Sequence, residues 1–124
     1  MSNISASFFK PFRAETVIPR HRILHFGAND NAARLAGAGQ GFGVSSEIDV
    51  EIDELCDGAL WGLLPVTYGG AVTRGDLLTS DAQGRAVVAA PGAGVSVEVI
   101  GRAMISGVLG DIGSVNLSPS RVRG

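Results

Sequence analysis

Cysteine is almost absent from this chain. Cys56 stands alone among 124 residues, so no disulfide can form within the chain, which suits a protein made in a reducing compartment. Histidine is nearly as scarce, with only His21 and His25. Their spacing of four shares a face on a helix, but "RHRILHF" alternates like a strand, where such positions sit too far apart to chelate one ion. No glutamate lies between them, so the zinc-protease pattern is missing. Cys56 has no histidine nearby in sequence, which leaves no nucleophile–base pair to read from the chain. Aromatics make up 6% of the residues. No apolar run reaches the length of about 18 that a membrane-spanning helix needs. The N-terminus has no basic segment followed by an apolar one, so no secretion signal is expected.

Charge is also sparse. Charged residues are 18% of the chain and the net charge is −2, which gives no strong pull toward nucleic acid or anionic lipid. The charges are unevenly spread. Lys10, Arg13, Arg20 and Arg22 lie near one end, and Glu47, Asp49, Glu51, Asp53, Glu54 and Asp57 follow in one run. Solvated faces account for both groups, as they usually do. Alternate strand positions do not converge on one point, so the acidic run is not a metal site by itself.

What the chain has in quantity is glycine, 18 residues of it, set between short Val, Ile and Leu runs. The glycines have no period of three, which excludes collagen. The hydrophobic fraction, 45%, excludes disorder. The length suits one domain with a core of its own. Short apolar runs separated by turn residues predict a mainly β fold, a small glycine-rich barrel-like or sandwich-like domain over residues 21–124. Residues 1–20 read differently. They hold Pro11, Pro19 and the cluster Phe8, Phe9 and Phe12, and predict an extended arm that docks either on a partner or on the chain's own core.

Along the domain, "RILHFGANDNAARLA" reads as strand, polar turn, strand. "EIDVEID" alternates strictly and predicts a half-buried strand with Ile48, Val50 and Ile52 inward. "ELCDGALWGLLPVTYGG" is broken by glycines too often for a long helix, although a short helical turn around residues 53–57 is compatible with it. "GRAVVAA", "SVEVIGRAMI" and "GDIGSVNLS" read as strands, and "SPSRVRG" as a polar tail. "GAGQGFG" lacks the Lys–Ser/Thr ending of a phosphate loop and predicts a flexible connection. Residues 22–36 and 76–90 also echo each other. Leu24 aligns with Leu78, Ala28 with Ala82, Ala32 with Ala86 and Ala36 with Ala90, and each half then reaches an apolar–Gly step, Phe42–Gly43 and Ile100–Gly101. Such a plan suits an ancient duplication.

The stretch "YGGAVTRGDLLTSDAQGRAVVAA" is dense in acids, hydroxyls and arginines. Turn chemistry explains them: Ser80 and Asp81 cap backbone amides, Gly84 supplies a positive φ before the next strand, and Asp76 belongs to a similar turn upstream. Gly101 is expected to mark another turn or bend. No catalytic role is required.

The ordered set Gly75, Asp76, Leu78, Thr79, Ser80, Asp81, Gly84, Arg85, Ala86, Val87, then Ile100, Gly101, Ala103, then Gly110, Asp111, Gly113, Val115, Leu117 resembles the capsid cement, or head-decoration, proteins of tailed bacteriophages. The match runs over about residues 62–117. The resemblance implies a protein made in the host cytoplasm that sits on the outer surface of a phage head. It implies attachment at junctions between major capsid protein subunits, commonly as a homotrimer, and reinforcement of the shell against internal DNA pressure. No catalytic residue, cofactor or metal comes with it. An arm of Phe8, Phe9, Lys10, Phe12, Arg13, Val17 and Ile18 would then supply the capsid contacts, by strand addition and apolar anchoring. Trp61, Leu63 and Tyr68 would supply self-association. Two other readings fit the same hairpins. One is a different phage structural β domain, such as a head fibre base or a tail-associated module. The other is a small β-barrel enzyme or ligand-binding domain, which would need a pocket lined by Asp49, Glu51, Asp53 or His25.

Overall fold

The computed structural model describes residues 7–124. They form nine strands: β1 (Ser7–Ala14), β2 (Ile23–Phe26), β3 (Ala32–Leu35), β4 (Gly43–Ser45), β5 (Leu55–Thr67), β6 (Leu77–Ser80), β7 (Ala86–Val88), β8 (Ser96–Ala103) and β9 (Ile112–Arg123). All belong to one sheet in the order β1-β3-β2-β4-β5-β9-β8-β6-β7, and β1 also pairs with β5. The mainly β expectation holds. The helical turn compatible with residues 53–57 does not form: among the described residues there is no helix, and Leu55 already begins β5.

The additional β1–β5 pairing makes β1, β3, β2, β4 and β5 a closed cycle of neighbours. A second cycle repeats the plan with β5, β7, β6, β8 and β9, closed by a parallel bridge between Tyr68 and Ala86. The two cycles match pair by pair. Leu24 faces Leu35 as Leu78 faces Val88. Leu24 faces Gly43 as Leu78 faces Gly101. Ala59 faces Val44 as Asn116 faces Arg102. Pro11 faces Asp57 as Pro65 faces Ser114. The bridge Ile18–Val50 recurs as Val72–Gly107. Even the left-handed positions recur, His21 with Gly75, Asn31 with Gly84 and Asp53 with Gly110. The chain is therefore a structural tandem repeat in which β5 ends the first unit and begins the second. The registers correct the sequence alignment by one residue after the turn, matching Ala33 with Ala86 and Ala36 with Ala89, because the second turn is one residue shorter.

Two clusters form the core. Ala14, Ile18, Leu24, Val50 and Cys56 fill the first cycle with Phe42 against them. Tyr68, Val66, Val72, Leu78, Ile100, Val115 and Leu117 fill the second, joined by Ile23, Ala36, Val44 and Ala59 from the first unit. Tyr68 is wholly buried. Its hydroxyl donates to the Ile105 carbonyl at 2.7 Å, and its ring lies so close to Gly107 and Gly113 that a Cβ at either would overlap it. At Gly101, with φ +148°, a Cβ would overlap the Asn116 carbonyl oxygen; the glycine lets β8 bulge against β9 there.

Three sequence expectations are corrected. The segment expected to be an arm, residues 1–20, is built into the domain over its described part: β1 pairs antiparallel with β5 and parallel with β3, and residues 1–6 lie outside the described residues. Alternation in "FFKPFRA" offers Phe12 and Ala14 to the core, both buried, and the edge of β5 offers β1 its backbone partners. "EIDVEID" is not a half-buried strand. Val50 alone pairs, while Ile48 and Ile52 are 69% and 56% exposed. Local polar chemistry overrides the alternation: the Asp49 carboxylate accepts from the Arg20 amide, and Glu51 to Glu54 form a turn with Asp53 at φ 72°. The polar tail is the end of β9, pairing as far as Ser96 with Arg123. Pro119, which has no N–H to give, falls where the β8–β9 register shifts.

Candidate functional site

β1 and β5 run antiparallel and set Phe8 directly opposite Trp61. Both are about half exposed, 51% and 49%. Phe9 and Leu63 flank them and are exposed as well. Phe9 also lines a shallow groove of about 250 Å³ with His21, Ile48, Leu64 and Pro65. Surface apolar residues are ordinary singly, whereas two exposed aromatics facing each other across a strand pair are the kind of group that contact surfaces use. Two residues that were far apart in the sequence expectations, Phe8 and Trp61, are thus neighbours on one ladder, while Leu63 pairs onward with Asn116 of β9. No sequence signal announced that.

The remaining predicted contact residues are placed differently. Phe12 and Ile18 are buried in this chain's own core, so neither is an exposed anchor in this conformation. Lys10 donates to the Asn31 side chain at 2.6 Å and sits 4.8 Å above the Phe12 ring. The Arg13 guanidinium donates to the Asp53 carbonyl. Val17 is exposed beside the buried Ile18. Tyr68, expected at a self-association surface, is likewise core, because it continues the inward alternate positions Leu64 and Val66, whereas Trp61 and Leu63 fall on the outward ones.

The polar stretch around residues 68–90 is occupied by its own backbone. Asp81 accepts from the amides of Gln83 and Arg85, both at 2.9 Å, and from Arg85 Nε at 2.8 Å. Asp76 accepts from the Thr73 amide, and Gly84 takes φ 74°. Replacing Asp81 with alanine leaves two turn amides and a half-buried guanidinium without that acceptor. We expect a loss of about 1–3 kcal/mol, read as a lower urea midpoint with unchanged slope.

Asp49 and Arg20 pair at 3.3 Å on the surface. The hydrogen bond from Arg20 lowers the Asp49 pKa, and the bond to Asp49 raises that of Arg20. A depressed carboxyl favours the fold above its unfolded pKa and loses that contribution as pH falls through its folded value; full exposure keeps it small. The Cys56 thiol is pushed up to about 11 by burial and by Asp57. It is therefore protonated at neutral pH and inert as a nucleophile. A thiol reagent such as Ellman's is expected to titrate Cys56 after unfolding but not in the native protein at pH 8; prompt native labelling would show that the first unit opens.

Grooves exist beside the acidic residues. Asp53 borders one of about 350 Å³ with Arg13, Glu15 and Asp30, and His25 borders one of about 420 Å³. Glu15 at the first accepts from the Ala28 amide at 2.6 Å, while His25 Nδ1 at the second lies 3.7 Å from Glu98 and has no hydrogen-bond partner. Among the described residues no group of three or more His, Cys, Asp or Glu is placed to hold a metal ion.

The chain is a tandem all-β unit with exposed aromatics on β1 and β5 and with Asp76 and Asp81 bonded into its turns. The sequence model of the phage cement protein family matches residues 11–107, well over half of the chain. The chain belongs to that family and is a phage structural protein. The solved head fibre gp8.5 N base of bacteriophage phi29 has the same fold, with a TM-score of 0.69, 21% identity and coverage of 98% of this chain and 100% of that one. No curated protein matches the sequence.

Proposed function

We propose that this protein is a non-enzymatic cement. It binds the outer surface of a phage head at junctions between major capsid protein subunits, as a homotrimer, and holds the shell against internal DNA pressure. The observation that carries this reading is the Phe8–Trp61 ridge, with Phe9 and Leu63, on a chain of the cement family. Flat aromatic anchors on paired strands lose little conformational freedom on binding, and many copies on one shell add modest contacts into strong attachment. No cofactor is called for. The test is addition of the purified protein to undecorated, expanded heads. Density outside the shell at subunit junctions and a higher rupture temperature are expected. Absence of bound protein at saturating concentration overturns the reading.

A second placement has an observation of its own. The whole of this chain shares its fold with the base of a head fibre, so a base from which a further structure projects is the alternative. Cement density ends at the domain's own height above the shell, whereas a fibre base continues outward.

A further inference from the structure

The tandem repeat has one position filled in the second unit and open in the first. In the second unit, Val66, Ser80, Ile100 and Leu117 are buried, and Ile23, Ala36, Val44 and Ala59 of the first unit join their cluster. The Ser80 hydroxyl lies 3.5 Å from the Ala36 carbonyl. Backbone bonds from Gly39 to Ser80 and from Ile23 to Gly84 lock the two units together. The strand registers make Phe12, Phe26, Phe42 and Leu60 the counterparts of those four residues. Here they line an open cleft of about 620 Å³. Phe26 is 60% exposed and stacks on Phe42 with ring centroids 4.2 Å apart. Nothing from this chain, among the described residues, takes the place that Ile23 and Ala36 take in the second unit.

The chain also carries the matching half, uncovered. The counterparts of Ile23, Ala36, Val44 and Ala59 are Leu77, Ala89, Arg102 and Asn116. The registers set Leu77 opposite Arg102 and Arg102 opposite Asn116, as Ile23 is opposite Val44 and Val44 opposite Ala59. Leu77 and Ala89 are half-buried, and Arg102 and Asn116 are exposed. An arginine in the place of Val44 suits a cleft whose rim is the bare face of Phe26 and the carboxylate of Asp30, since a guanidinium both stacks on aromatic faces and pairs with carboxylates.

We propose that the second unit of one copy docks, through Leu77, Ala89 and Arg102, into the aromatic cleft of the next copy, repeating between chains the contact that joins the two units within one. Such a contact is head-to-tail, so it closes a ring where the rotation allows. It deepens the homotrimer reading above and rests on it for its setting, while the contact itself is testable without a shell. The partner is a second copy because the repeat gives this chain both complementary halves, each at least partly exposed, with Arg102 held toward the surface by its bond to the Gly75 carbonyl at 2.9 Å.

Ala82 and Ala36 border one groove within the chain; their counterparts between chains are Ala28 and Ala89. Ala28→Cys and Ala89→Cys proteins are made separately, mixed, and treated with a short bismaleimide, free in solution and on decorated heads. Buried Cys56 stays silent. The mixture is expected to give crosslinked dimers and either variant alone to give none. Adding Phe26→Lys to the Ala28→Cys protein, which sets a second cation against Arg102, should abolish the product while the circular dichroism spectrum stays native. Dimers from one variant alone would show a two-fold contact and overturn the proposal. So would absence of mixed product both in solution and on heads that are decorated normally. If wild-type protein fails to decorate heads, the cement reading falls, and the solution crosslink still decides the docking.

Discussion

Tyr68→Ala is expected to cost about 3–5 kcal/mol, the range for emptying a large buried aromatic site. That is about a fifth or more of the stability of an ordinary domain. Tyr68 fills the second unit as Ala14, Val50 and Cys56 help fill the first, and it does so against Gly107 and Gly113, which have no side chains to close the space. Backbone collapse is restrained because the Tyr68 amide donates to the Asp111 carbonyl and the Gly110 amide to the Tyr68 carbonyl. Tyr68→Phe separates packing from hydrogen bonding. It keeps the ring and leaves the Ile105 carbonyl without its 2.7 Å donor, for an expected loss of about 1 kcal/mol. Burial also raises the Tyr68 pKa, so the hydroxyl stays a donor through the neutral range. Equilibrium urea unfolding of the three proteins measures both differences. A Tyr68→Ala loss under about 1 kcal/mol would mean that the second unit repacks freely.

Phe8→Ser with Trp61→Ser is expected to leave folding nearly intact and to remove attachment to heads. Both side chains are half exposed, so the fold should lose no more than about 1 kcal/mol, the worth of a cross-strand aromatic pair. An interface anchor of this type contributes about 2 kcal/mol or more, equivalent to about a 30-fold weaker apparent Kd for each. Multiplied over copies on one shell, the loss is larger still. Binding is read by cosedimentation with expanded heads, and folding by thermal melting. A double variant that binds as wild type shows that the Phe8–Trp61 ridge is not the attachment surface. Deleting residues 1–18 cannot make this distinction. It would take β1 out of the sheet and Phe12, Ala14 and Ile18 out of the core, so the protein is expected to unfold before attachment is tested.

Much of the architecture was legible in the chain because it is written locally. The turns around Asp81 and Gly84 and around Asn29–Asn31 follow from side chains that bond their own backbone and residues that tolerate positive φ. The hairpins β2–β3 and β6–β7 follow from those turns. The echo of Leu24 in Leu78 and of Phe42–Gly43 in Ile100–Gly101 was visible too, although four alanine and leucine identities did not show that β5 is shared between the units. "EIDVEID" misled for a definite reason. Strict alternation states that one face is apolar, not that anything covers it, and here Arg20 and the Glu51–Glu54 turn hold the segment in a loop.

Composition, turn residues and the order of short apolar runs by themselves determined a β-rich fold, the positions of its hairpins and its likeness to phage cements, because each depends on neighbours within a few residues. Tertiary structure alone decided that Phe12, Ile18 and Tyr68 are core, that Phe8 meets Trp61, and that one unit of the repeat is capped while the other is open. Those outcomes depend on which sheet edges find partners, and β1 finds β5 across more than forty intervening positions. A local pattern states which side chains avoid water, and long-range pairing decides which of them succeed.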